Sequence, residues 1–313
     1  MMKKPIPSIY ALLLSLCVSV CPAWGKGATT GSWAFDSENT VIGFPKTYVI
    51  KGGESLIELA PEFDVGYNEI VEANPGVDPW VPGRGTVINI PSSKILPDTP
   101  PEGIVINLAE MRLYFYFRQP KRGDVFEDDD IRVVSYPIGI GIEGFNTPPG
   151  EFYVKEKIKD PAWHVPPSIR KENPELPPVV PPGADNPLGF YALRLSDPSY
   201  LIHGTNRPFG IGRRASHGCI RMYNEDIKSL FSMVHRGTPV KIVYQPVKVG
   251  KKDGNVYVEA HRDYLSRIHN LRGVVYARLE SVINFLPVNK KRINETLKNK
   301  TGMPVAVTEQ PRF

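Results

Sequence analysis

The stretch His203-Gly-Thr-Asn-Arg-Pro-Phe-Gly-Ile-Gly-Arg-Arg-Ala-Ser-His-Gly-Cys-Ile-Arg221 decides how the rest of this 313-residue chain is read. It lies between a strand predicted over 200–203 and a predicted helix that opens at Asn224, the expected N-cap, with Glu225 and Asp226 in its first turn. A free thiol is mostly protonated at neutral pH; a nearby imidazole can take its proton, and positive surroundings favour the thiolate further. His203 stands sixteen residues before Cys219, at the end of the predicted strand, so a loop returning beside that strand can bring the two into hydrogen-bond reach. His217 shares a face with Cys219 if the segment is extended. Gly218 opens backbone conformations closed to other residues, so the N–H groups of 217–219 can point one way as an oxyanion hole. Such a donor is worth about 3–4 kcal/mol where it has been removed. Arg221 has the planar fork that grips a carboxylate with two bonds.

Taken singly, Cys219 reads as a buried core thiol and each histidine as a satisfied structural group. A cysteine with two histidines can ligate zinc, but a fourth ligand at workable spacing is missing, so no metal and no cofactor is expected. The combination points to nucleophilic catalysis. His164, His235, His261 and His269 have no comparable company and read as structural.

The ends of the chain strengthen this. Residues 1–25 carry Lys3 and Lys4, an apolar run over 9–20, and Ala23, Trp24 and Gly25, the three parts of a signal peptide. The run is shorter than the roughly 20 apolar residues a membrane span needs. Leu16 and Val20, before Cys17 and Cys21, stand where a lipoprotein signal wants small residues. Cleavage after Gly25 leaves Cys219 as the one remaining cysteine of three, unable to form an internal disulfide and therefore either inert in the core or reactive. Cleavage also lowers the net charge from +5 to +3, with no basic run, so nucleic acid is not an expected partner. Apolar residues at 41% and charged residues at 23% suit a soluble globular protein.

Around the central stretch, residues 102–244 show many short strand patterns and one clear helix. That makes the expected fold mainly β, a β-sandwich-like catalytic domain with one principal helix. Two insertions interrupt it. Glu127-Asp-Asp-Asp130 reads as a solvated loop tip, and 160–188, with nine prolines, as a structureless lid or binding loop. Residues 44–92 read as β-α-α-β, with helices over 57–63 and 66–73 and a stop at Asn74-Pro75-Gly76. Residues 93–101 read as a proline-rich linker. Residues 245–313 read as a small α/β extension: a hairpin around 252–254, then a helical stretch with Leu265, Ile268, Val275, Leu279, Val282 and Phe285 on one face.

These motifs resemble known families. His203-Gly204-Thr205 and Ser216-His217-Gly218-Cys219-Ile220-Arg221 are similar to the active-site motif of YkuD-type L,D-transpeptidases; 104–116, Thr147-Pro-Pro-Gly-Glu-Phe152 and Asn186-Pro-Leu-Gly189 also fit. Residues 44–92 resemble a LysM domain, a module that grips the glycan strand of peptidoglycan. The resemblance implies that Cys219 is acylated and that His203 is its base, oriented by the Gly204 carbonyl. The 217–219 backbone, including Gly218, would hold the oxyanion, while Ser216, His217 and Arg221 would shape the site and position substrate. It implies a tetrapeptide-stem donor from peptidoglycan, attacked at the L-centre carbonyl of its diaminopimelate with release of D-alanine. The acceptor would be diaminopimelate of another stem or the C-terminal lysine of an outer-membrane lipoprotein. The implied compartment is the periplasm. Two rivals stay open: hydrolysis of the same bonds by an L,D-carboxypeptidase or endopeptidase, and a wall-binding protein without catalysis.

Overall fold

In a computed structural model the chain is described over residues 31–119, 131–282 and 287–309. The expected signal peptide, the acidic run 127–130 and Phe285 lie outside those residues.

The Ile104-Val105-Ile106 run is apolar on both faces because its strand, Gly103–Asn107, sits in mid-sheet. It pairs antiparallel with Arg112–Arg118 on one side and parallel with Pro239–Val243 on the other, Ile104 opposite Phe115 and Val240. The nine-stranded sheet continues outward from this pair. Ile131–Pro137 and Trp33–Ala34 lie beyond Arg112–Arg118; Gly150–Lys159, Tyr191–Leu195, Leu201–His203 and Ile220–Arg221 lie beyond Pro239–Val243. A register shift between Val154 and Glu156 bends it. The expected mainly β unit is thus a curled sheet whose two parts share strand Gly150–Lys159. Helix Asn224–Met233 packs on it, and Ile227, Leu230 and Val234 share a core with Ile104, Ile106, Leu193, Ile202 and Ile220.

Asn224 does not cap that helix. The cap position belongs to Tyr223, and Asn224 is the first helical residue.

Residues 46–90 form the expected β-α-α-β arrangement. Lys46–Val49 pairs antiparallel with Val87–Ile90, and helices Leu56–Glu62 and Tyr67–Glu72 stand between them. Ser55 and Glu58 make a capping box at the first helix. Ile50, Leu56, Leu59, Ile70, Ile88 and Ile90 are the core of this unit.

The stretch read as a linker begins as structure: Lys94–Ile95 pairs with Val41–Ile42, and 93–97 are buried. The C-terminal extension is α/β as expected. Val247–Lys252, Asn255–Ala260 and Val305–Ala306 make a three-stranded sheet, covered by helices Leu271–Val282 and Lys290–Asn299. The helix starts later than its apolar pattern suggested. Leu265 and Ile268 lie in a turn where the Asp263 carboxylate accepts the N–H groups of Arg267 and Ile268.

The proline-rich segment 160–188 is also ordered. Trp163–His164 pairs with Val179–Val180, and Pro167–Glu172 is a helix with Pro167 at its first position, where a missing N–H costs nothing. Buried Asn186 ties its base by donating to the carbonyls of Pro161, Val180 and Pro181.

Candidate active site

Leu201–His203 and Ile220–Arg221 are parallel neighbours, with Ile202 opposite Ile220 and His203 opposite Arg221. Side chains alternate along a strand. Ile202 and Ile220 are fully buried in the core, so Cys219, His203 and Arg221 are directed to the opposite face. The sheet register thereby brings toward one face residues that stand sixteen positions apart in the sequence.

His203 is almost wholly buried, and its Nδ1 lies 2.6 Å from the Gly204 carbonyl oxygen. A carbonyl can only accept, so Nδ1 carries the proton and donates, leaving Nε2 with a lone pair. Burial, and then the positive charge of Arg221, push His203 down to about 4. The imidazole is neutral at physiological pH and able to take a proton.

Asn224 secures that geometry from the helix. Its Oδ1 accepts the Thr205 N–H at 3.0 Å and its Nδ2 donates to the Thr205 carbonyl at 2.9 Å. A Cβ at Gly204 would stand 2.3 Å from the same Oδ1, so glycine is required for this close approach.

The turn before Cys219 is braced on both sides. Gly218 has φ +105°, a conformation that favours glycine. Ser216 Oγ accepts the Gly218 N–H at 3.2 Å and donates to the Cys219 carbonyl at 2.5 Å. Thr147 Oγ1 donates to the Gly218 carbonyl at 2.8 Å and accepts the Gly141 N–H at 3.2 Å. Ser216, expected to help position substrate, is buried with its hydroxyl engaged inside the turn. The Gly218 N–H, expected in the oxyanion hole, is directed to Ser216 instead. Glycine is needed at 218 for the turn itself.

Cys219 is half-buried, with Sγ 3.8 Å from the Ser199 carbonyl oxygen. Burial raises its thiol above the ordinary range, against the opposing pull of the Leu201 N–H, Arg221 and Arg194. The resting pair at neutral pH is thus a thiol and a neutral imidazole. The Arg221 Nε is buried and has no hydrogen-bond partner among the described residues. A buried donor near Cys219 is suited to an incoming acceptor such as a carboxylate.

His217 is exposed. Its ring lies 4.7 Å from that of Phe145, and its Nε2 is 3.5 Å from the Glu172 carboxylate, at the end of the helix in the proline-rich segment. That segment therefore reaches the active-site turn. Phe145 and Glu172 were not singled out from the sequence; Thr147 stood only in the family-like stretch 147–152, and Asn224 was assigned only a cap.

Among the other histidines, His261 alone joins a charged cluster. With Glu110 and Glu259 it forms a buried group that could converge on a cation. Lys248 Nζ already stands 2.6 Å from Glu110 and 2.8 Å from Glu259, so an ammonium fills that place.

The family model described as the L,D-transpeptidase catalytic domain, YkuD, matches residues 101–242. The chain is 40% identical over 281 residues to the probable L,D-transpeptidase YcfS of Escherichia coli K12, covering 85% of each. It is 41% identical over 281 residues to the probable L,D-transpeptidase YbiS of the same organism, covering 86% of this chain and 87% of that protein. The NMR structure of the catalytic domain of an Enterococcus faecium L,D-transpeptidase aligns with 47% of this chain and 100% of its own, at 23% identity and a TM-score of 0.33. Cys219 immediately precedes strand Ile220–Arg221, the neighbour of the strand that ends at His203, and the matches give the class of protein, a cysteine enzyme. The chain belongs to the YkuD family of L,D-transpeptidases.

Proposed function

We propose that the protein exchanges peptide bonds in peptidoglycan through an acyl-enzyme on Cys219. The observation that carries this reading is His203, held neutral, with Nδ1 tied to the Gly204 carbonyl, at the end of the strand that pairs with Ile220–Arg221, directly after Cys219.

The Cys219 proton passes to His203 Nε2, and the sulfur attacks the L-centre carbonyl of diaminopimelate in a tetrapeptide stem. The N–H groups of His217 and Cys219 are the candidates to hold the oxyanion. The tetrahedral adduct collapses to a thioester, and the departing D-alanine nitrogen takes the proton from His203. An acceptor amine then attacks the thioester and gives its proton to His203. The sulfur leaves and recovers that proton. One peptide bond replaces another, so no external energy source is required. Arg221 receives a donor carboxylate.

The acceptor is an amine of another stem or the C-terminal lysine of an outer-membrane lipoprotein. The unit at 44–92, LysM-like in sequence, grips the glycan strand. The first 25 residues direct export, and the enzyme acts in the periplasm. The segment 160–188 covers the site and limits access of water to the thioester.

Intact-protein mass spectrometry with a carbapenem, beside Cys219→Ala, tests the first step. The expected result is a drug-sized adduct on the wild type only. A folded wild type that takes no adduct would overturn the acyl-enzyme reading. Product analysis with tetrapeptide donor then separates the rivals: cross-linked product in the presence of an acceptor amine supports transfer, and release of D-alanine alone supports hydrolysis.

A further inference from the structure

The loop that joins His203 to Cys219 is held from outside the catalytic sheet. The first N–H groups of an α-helix have no partner within the helix. In helix Tyr67–Glu72 of the N-terminal unit, two of them donate to this loop: Tyr67 N–H to the Ile211 carbonyl at 3.1 Å and Asn68 N–H to the Gly212 carbonyl at 3.2 Å. On its other side the loop is bound to the catalytic domain, with Gly212 N–H donating to Ile138 and Ile140 N–H donating to Arg213.

Two glycines make the contact possible. A Cβ on Gly66 would lie 2.6 Å from the Gly212 Cα, and one on Gly212 would lie 2.4 Å from the Gly66 Cα. No side chain fits between these backbones. The Gly66 N–H is fixed by Glu69 at 2.6 Å, and the buried Glu69 is gripped by Lys94 at 2.6 Å and by Arg112 of the catalytic sheet at 3.0 Å. The Tyr223 hydroxyl donates to the Val65 carbonyl at 3.2 Å, and the Arg213 guanidinium lies 4.5 Å from the centre of the Tyr67 ring.

We infer that the N-terminal unit is a positioning element of the active site, holding loop 204–219 through the Gly66–Gly212 contact so that Cys219 meets His203. This rests on the proposed transfer reaction and goes beyond glycan binding by that unit. Ser216 and Cys219 follow the clamped segment by only a few residues, and Arg207 precedes it, so a shift at 211–212 is carried into the turn that holds the thiol. Misplacing reacting groups by about 1 Å costs on the order of 100-fold in rate.

The test uses the full chain with a free tetrapeptide donor, too small to depend on glycan binding. Gly66 has φ −83°, open to any residue, so Gly66→Ala adds one methyl at the seam without backbone strain. Gly250→Ala is the control. Its added Cβ would lie 2.7 Å from side-chain atoms of Ile95 and Thr40, at a seam that does not touch the loop.

Gly66→Ala is expected to melt cooperatively, to lose at least about tenfold in kcat with KM little changed, and to alter the rate of Cys219 alkylation by iodoacetamide. Gly250→Ala should stay within about twofold of wild type on both measures. If Gly66→Ala matches wild type in kcat and in alkylation, the loop is placed by the catalytic domain alone and the inference is overturned. If Gly66→Ala does not fold, Tyr223→Phe, which deletes one bond at the seam without adding an atom, should still lower kcat, and an unchanged kcat would count against it. A wild type without transfer activity would instead overturn the proposed function, and the alkylation rates alone would then decide this inference.

Discussion

His203 is the residue whose surroundings say most about the chemistry. Burial and the neighbouring Arg221 both work against its cationic form, holding it down to about 4. The sign follows directly: between that value and the ordinary 6.5 the free enzyme keeps a neutral imidazole where an exposed histidine would be charged. The acid limb of kcat/KM for acylation should therefore fall near about pH 4, with little change from about pH 5 to 8. Arg221→Met should move that limb upward, toward 6.5, as well as slow the reaction. A pH–rate profile of both proteins checks this, and a limb near 6.5 in the wild type would contradict it. His203 and Cys219 were legible in the sequence because the chemistry demands those residue types. The parts played by Thr147 and Asn224 were not, because each acts across a contact that no local pattern reveals. Thr147 meets Gly218 from 71 residues away, and Asn224 meets Thr205 from 19.

At the scale of elements, the segment 160–188 departs most from its sequence reading. Its prolines pointed to a loop without structure. Yet Pro167 opens a helix, and the ribbon strands are only two residues each, too short to leave a periodic pattern. Its order comes instead from Asn186 at the base and from the approach of Glu172 to His217. Val165 N–H donates to the Pro178 carbonyl at 3.0 Å, so a short Gly-Ser link can bridge these two positions after removal of 166–177. That deletion should raise the ratio of hydrolysed to transferred product, read by chromatography in the presence of an acceptor amine. An unchanged ratio would remove water exclusion from the segment's role. The β-α-α-β unit was easier to read, because an Asn-Pro-Gly stop and flanking strand patterns are local signals.

For the whole molecule, the seams between units are built from buried charge. Glu69 joins Lys94 and Arg112 at one seam, and Lys248 joins Glu110 and Glu259 at another. At Glu69, burial works against ionisation, but Arg112 and Lys94 outweigh it and the carboxyl stays below its usual range. Asp64 lies at the same seam with the opposite balance, pushed up to about 7 by burial. A group raised in the folded state contributes stability below its unfolded value that is lost as pH rises through the folded one. Asp64 should thus weaken the protein progressively between about pH 4 and 7. Asp64→Asn should remove part of that decline, gaining on the order of 1 kcal/mol at pH 8 and little at pH 4, as measured by thermal melts. Asparagine also tolerates the φ of +55° at this position. None of this was legible beforehand: the bonds joining Lys248 to Glu110 and Ile95 to Glu259 span 138 and 164 residues. The stretch 93–101 looked like a linker because its partners lie so far along the chain.

The parallel pairing of Gly103–Asn107 with Pro239–Val243 in mid-sheet has a kinetic consequence. Strand Gly103–Asn107 meets Pro239–Val243 across more than 130 residues, so the two sides of the sheet are joined by a long-range contact. Contacts of such sequence separation close slowly, and the strand edges awaiting them are templates for other chains. The protein should therefore refold on the slow side for its size, through an intermediate with unpaired central strands. Aggregation during refolding should rise with concentration.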